Sequence, residues 1–211
     1  MLHQRVNGRE PLTDNGPRMS VAKPLSPSPA PASTQPAAKP PIALRYLAGY
    51  PDALLAQVRT LIERGELGEV LRRKYPDAHE VRSDKALFDY VNERKQQAMR
   101  NAPPLQLVYY DAKLKVLQHA LGTHTRISKI HGGQLKSRRE IRIATLFKEA
   151  PAAFLDMIVV HELAHLKEPE HDKAFYGLCC HMMRDYHQVE FDLRMYLTQL
   201  DLDAKAALQS S

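Results

Sequence analysis

Apolar residues recur at positions 54, 55, 58, 61 and 62 in the stretch Pro51-Asp-Ala-Leu-Leu-Ala-Gln-Val-Arg-Thr-Leu-Ile-Glu-Arg64. That three-and-four spacing lines one face of an α-helix, and Gly65 closes it. A shorter helix over about 67–74 stops before Pro76. Ser83 can cap a third, which turns Ala86, Leu87, Tyr90 and Val91 inward and ends ahead of Pro103-Pro104. Arg94, Lys95 and Arg100 on that helix read as a solvated face. From 105 to 147 the period changes. Leu105–Tyr110, Lys113–Gln118, Thr125–Ile130 and Glu140–Thr145 alternate or are rich in β-formers, and His131-Gly132-Gly133-Gln134 is a turn signal. These segments predict a small, largely antiparallel sheet.

The sheet runs into Phe154-Leu-Asp-Met-Ile-Val-Val160, which predicts an amphipathic helix over 152–167. Pro151 suits a helix's first turn, and Glu168-Pro169 ends it, because the residue before proline is pushed out of the α region. A further helix is expected over 174–183, broken at Arg184-Asp185. Val189, Leu193, Tyr196, Leu197 and Leu200 recur at helical spacing in a last one. The fold class is therefore α+β, as one domain over residues 42–211. Residues 1–41 hold nine of the fifteen prolines and cannot bury enough apolar surface to offset chain ordering. They are expected to be a disordered Pro/Ala/Ser-rich tail.

The chemistry lies at the end of the 152–167 helix, in His161-Glu-Leu-Ala-His165-Leu-Lys-Glu-Pro-Glu-His171. Histidines four apart share a helix face, so two imidazoles can bind one metal ion. The turn at Pro169 lets His171 return as a third ligand. Glu162, beside the first ligand, can reach a water on the metal. Three protein ligands with an open fourth position describe a catalytic Zn2+ site rather than a closed structural one, and imidazoles favour zinc over magnesium or calcium. His181, His187 and Glu190 are competing donors, outranked by the local geometry of His171. The adjacent Cys179 and Cys180 read as reduced core thiols.

The formal net charge of +6 is unevenly spread. Residues 124–142 hold six Lys/Arg against one Glu: Arg126, Lys129, Lys136, Arg138, Arg139 and Arg142. Such a cluster beside a metal reads either as an anion-binding wall for phosphate or nucleic acid, or as a charged sheet edge. No run approaches a membrane span, and the first residues lack the apolar core of a secretion signal. A cytoplasmic protein without a membrane partner is expected.

The stretch Val159-Val-His-Glu-Leu-Ala-His-Leu-Lys-Glu-Pro-Glu-His-Asp-Lys-Ala-Phe-Tyr176, with Asp185-Tyr-His-Gln-Val-Glu-Phe-Asp-Leu-Arg194, closely resembles the YgjP-like family of predicted zinc metallopeptidases. That family is related to the SprT and WLM zincins, and the likeness covers about residues 45–200. The resemblance implies a zincin-like domain with His161, His165 and His171 on zinc and Glu162 as catalytic acid/base. Many relatives carry Arg-Trp-Gly-Ser-Cys before the metal helix, where this chain has Arg126-Ile-Ser-Lys-Ile130 and no tryptophan at all.

Three functions follow in order of expectation. The first is zinc-dependent peptide hydrolysis, with Glu162 as general base and oxyanion help from Tyr176, His187 or Arg126. The second is a nucleoside triphosphate pyrophosphatase whose phosphates are held by Arg126, Lys129 and Arg142. The third is a zinc-stabilised module that binds nucleic acid without catalysis.

Overall fold

The computed structural model describes residues 44–114 and 140–210. Three helices come first: α1 (Asp52–Glu63), α2 (Leu67–Lys74) and α3 (Asp84–Ala98). The positive φ of Gly65 allows the tight turn between α1 and α2. Ser83 caps α3 as its sequence implies, its hydroxyl accepting from the Ala86 N–H at 3.1 Å. Strands β1 (Leu107–Asp111) and β2 (Glu140–Ala144) follow, then α4 (Ala152–Ala164), α5 (Lys173–Met182) and α6 (Tyr186–Gln209). No helix among the described residues is long and apolar enough to cross a membrane.

The two described strands pair in parallel, with Leu107 against Glu140 and Asp111 against Ala144. This corrects the antiparallel expectation for that pair. Period-2 alternation fixes which face a residue occupies, and it holds: Val108, Tyr110, Ile141 and Ile143 are buried. It carries no information about direction. A parallel pair needs a connection of a dozen residues or more, which residues 112–139 supply and a hairpin does not. Of the expected strand Lys113–Gln118, its first residue lies in a turn. The rest of it beyond Leu114, all of Thr125–Ile130, and the 1–41 tail lie outside the described residues.

Helix α4 is central rather than amphipathic. Phe154, Leu155, Met157, Ile158, Val159, Val160, Leu163 and Ala164 are all buried, which leaves only Ala152, Ala153, Asp156 and Glu162 partly exposed. Around it pack Leu87 and Val91 of α3, the inner face of the sheet, Phe175 and Cys179 of α5, and Val189, Leu193 and Leu197 of α6. A smaller cluster of Leu44, Leu47, Val58, Leu67, Leu71 and Met195 seats α1 and α2 on α6.

Arg94 does not belong to a solvated face. Its Nε and Nη2 each donate to Asp156 of α4 at 2.7 Å, and the Tyr90 hydroxyl adds a third bond to the same carboxylate at 2.9 Å. Lys95 is buried as well, while Arg100 is exposed. The bidentate pair pins α3 against the helix that carries the histidines.

Candidate metal centre

Helix α4 ends at Ala164, one turn before the expected stop. His161 is in its last turn and His165 is its C-cap. A tight turn continues through hydrogen bonds from Leu166 N to Leu163 O and from Glu168 N to Ala164 O. Pro169 then takes the chain away, and Asp172 caps α5 by accepting from the N–H groups of Ala174 and Phe175. His171 lies in this bend, directly before the cap. The chain reversal anticipated at Pro169 therefore brings three histidines from eleven consecutive residues to one point.

Their Nε2 atoms form a triangle: 3.2 Å between His161 and His165, 3.1 Å between His165 and His171, and 3.2 Å between His171 and His161. A triangle of that side leaves a point about 2.0–2.1 Å from each corner, the His–zinc bond length, with N–metal–N angles of roughly 100°. The donor set fits a tetrahedral metal with one position open. Glu162, Glu190, His181 and His187 do not join this group.

The other ring nitrogens orient two of the candidate ligands. His165 Nδ1 lies 3.0 Å from the Glu168 carbonyl, which can only accept. Its proton is thereby on Nδ1, and the Nε2 lone pair faces the triangle. His161 Nδ1 lies 2.7 Å from the Tyr186 hydroxyl. Burial lowers the pKa of His171, opposed by Glu190 and Glu170, which favours the neutral ring a metal requires. Beneath all three sits Phe175, with no exposed surface. Its centroid is 5.0, 4.4 and 4.7 Å from those of His161, His165 and His171.

Residues 69–196 match the model for the YgjP-like metallopeptidase domain. The chain belongs to the YgjP-like family. It is 59% identical, over 159 residues, to a UTP pyrophosphatase of Escherichia coli (strain K12), a match covering 75% of this chain and 95% of that protein. No solved structure matches it. Membership supports a metal-dependent hydrolase, as the sequence implied at the coarse level.

In this YgjP-like chain Glu162 is partly open at the surface yet densely surrounded by protein atoms. Burial pushes its carboxyl up to about 7, and the nearby Arg142 guanidinium opposes that rise. Arg142 projects from β2, opposite Tyr109 of β1. It is 3.3 Å from Asp111 and 3.8 Å from Glu140, and Glu140 also accepts from the Tyr109 hydroxyl at 2.8 Å. Two carboxylates thus hold Arg142 at the strand surface. Tyr176 is half-buried beside the triad, its ring 6.3 Å from that of His171. Arg126 and Lys129 lie outside the described residues.

The competing donor Glu190 is occupied elsewhere. Buried Glu190 accepts from Arg194 Nη2 at 2.5 Å, and Arg194 Nη1 donates to the Tyr46 carbonyl at 3.1 Å. His181 and His187 are exposed. Cys179 is a buried free thiol that burial pushes up to about 12, so it remains protonated at neutral pH.

Phe175 and Tyr186 are the site residues that sequence reasoning missed. For Phe175 a signal existed. A cap at Asp172 directly after His171 places the third helical residue on the turn beneath the three histidines. Tyr186 carries no such mark, being one aromatic residue at the start of a helix.

Proposed function

We propose that this chain is a metal-dependent nucleoside triphosphate pyrophosphatase, with UTP or a nucleotide like it as substrate. The observation that carries the reading is the 59% identity to a UTP pyrophosphatase along 95% of that protein's length. The family match at residues 69–196 contains the three histidines. His161, His165 and His171 would hold the ion, and three imidazoles suit zinc. When bound, zinc supplies Lewis acidity toward phosphoryl oxygen and acidifies water.

The remaining work falls to protein groups. The Glu162 carboxylate takes the proton of the attacking water as its oxygen bonds to phosphorus. The phosphoanhydride P–O bond between the α- and β-phosphates breaks, and its electron pair leaves with pyrophosphate. A carboxyl poised near neutrality suits that transfer, since it must both accept and release a proton. The Arg142 guanidinium keeps part of the Glu162 population ionised. Arg142, with Arg126 and Lys129 of the same basic 124–142 stretch of sequence, is the proposed hold on the phosphates. Tyr176, its ring 6.3 Å from that of His171, is a further proposed substrate contact. The catalytic domain is assigned to residues 42–211.

Peptide hydrolysis is the second reading, favoured by the description of the family as a metallopeptidase domain. The same triad and Glu162 would serve it. One experiment separates the two: zinc-loaded wild type and Glu162→Gln are given UTP, with pyrophosphate release followed, and in parallel an unstructured protein such as casein. We expect pyrophosphate release that falls by about 10²–10⁴ in the variant, whose zinc content is unchanged. Cleavage of casein dependent on Glu162, with UTP untouched, would return the chain to the peptidases.

A further inference from the structure

We infer that Tyr176 and His187 form a stacking subsite for the nucleobase of the substrate, one that holds a base without choosing which. This rests on the nucleotide reading above and says where the base of that nucleotide is held. A chain of aromatic rings leads from the histidine triad to the surface. The Tyr176 ring lies 6.3 Å from that of His171 at an interplanar angle of 35°, and the His187 ring lies 5.3 Å from that of Tyr176 at 40°. Exposure grows along the series: Tyr176 is half-buried, and the His187 side chain is 61% exposed.

Two helices build this wall. Tyr176 follows Phe175 in α5, so its side chain leaves the helix about a hundred degrees round from the ring beneath the triad. His187 is in the first turn of α6, reached through the short bend at residues 183–185. Buried Tyr186 backs both rings, its centroid 6.4 Å from that of Tyr176 and 5.6 Å from that of His187. The Glu190 carboxylate is 3.9 Å from His187 Nδ1, beyond hydrogen-bond distance, and is bonded to Arg194 instead. What sets the imidazole is contact with the two tyrosine rings. The wall is therefore in place before a ligand arrives, which lowers the ordering cost of binding.

The chemistry of the wall names its ligand. Every base has a π face, and tyrosine and histidine are among the side chains on which bases stack. With the reacting phosphate at the triad, the sugar puts several bonds between that phosphate and the base. That reach is of the same order as the ring spacings from His171 through Tyr176 to His187. Stacking accepts any base, so the subsite separates a nucleotide from a bare polyphosphate rather than one nucleotide from another.

Ribose 5-triphosphate tests this, because it has the sugar and phosphate chain of UTP and lacks the base. Pyrophosphate release from each compound gives two kcat/KM values for every zinc-loaded protein. Wild type should favour UTP by about 5–100-fold, the worth of one stacked base. In Tyr176→Ala that preference should collapse toward unity, the loss falling on KM, as for binding shared by ground and transition states. Tyr176→Phe, which keeps the ring, should retain the preference, and His187→Ala should lower it in part. Equal use of the two compounds by wild type overturns the subsite. So does a preference left within twofold of wild type by Tyr176→Ala, or by the exposed His187→Ala should the tyrosine variant not fold. A preference lost as fully in Tyr176→Phe as in Tyr176→Ala assigns the effect to the hydroxyl and overturns stacking. Wild type that releases pyrophosphate from neither compound refutes the nucleotide reading itself, before any variant is compared.

Discussion

Replacing Phe175 by alanine removes the ring on which all three candidate ligands rest. The side chain is completely buried, and its centroid lies within 5.0 Å of each imidazole centroid. Truncating a buried phenylalanine costs about 3–5 kcal/mol, from lost transfer energy and the cavity left behind. Set against about 5–15 kcal/mol for an ordinary domain, that leaves the fold populated but weakened. For a chain of this size the melting temperature should fall by roughly 6–20 °C. Urea unfolding of chelated and zinc-loaded protein gives both the loss itself and the stabilisation that zinc adds. The zinc increment should shrink in the variant, because imidazoles without a floor must be ordered by the metal itself. Phe175→Leu, which refills most of the volume, should cost less than about 1.5 kcal/mol. A loss below about 1 kcal/mol for Phe175→Ala, with an undiminished zinc increment, would refute the argument that this ring organises the site.

Two further outcomes follow from groups away from the metal. Asp192 is almost fully buried and accepts from Lys74 at 2.5 Å, the Tyr75 hydroxyl at 2.6 Å and Gln188 at 3.1 Å. Lys74 is half exposed, so its ion pair is screened, and the tyrosine bond to a charged acceptor dominates. Asp192→Ala should therefore cost about 2–3 kcal/mol in urea unfolding, and a loss under about 0.5 would show the network to be idle. The second outcome concerns alkaline pH. Burial raises Tyr110 to about 12, its hydroxyl donating to the Val81 carbonyl at 2.6 Å. A phenol that ionises near 10 when unfolded and near 12 when folded stabilises the fold below pH 10, and that contribution disappears as pH rises from 10 to 12. Stability of Tyr110→Phe should fall less steeply across that window than wild type, and equal slopes would count against the assignment.

Much of this protein was legible in its residues because the relevant physics is local. The 3.6-residue period marks α1, α2 and α3, Ser83 marks a cap, and Pro169 marks a bend. His161 and His165 meet because positions four apart always do on a helix. His171 joins them because the turn after Glu168 is short. Each of these follows from neighbours in the chain. The same reasoning could not give strand direction, since alternation is identical in parallel and antiparallel strands and only the connection distinguishes them. Nor could it show that α4 is mostly buried with no fully exposed residue, that Arg94 closes on Asp156 62 residues away, or that Tyr186 reaches His161. Those contacts join distant parts of the chain. They depend on which surfaces packing brings together, and a side chain's own identity leaves its partner open. An aromatic residue in an apolar pattern looks like core whether it fills space or orients a ligand. Local spacing placed the candidate metal donors, and tertiary packing decided what holds them in line.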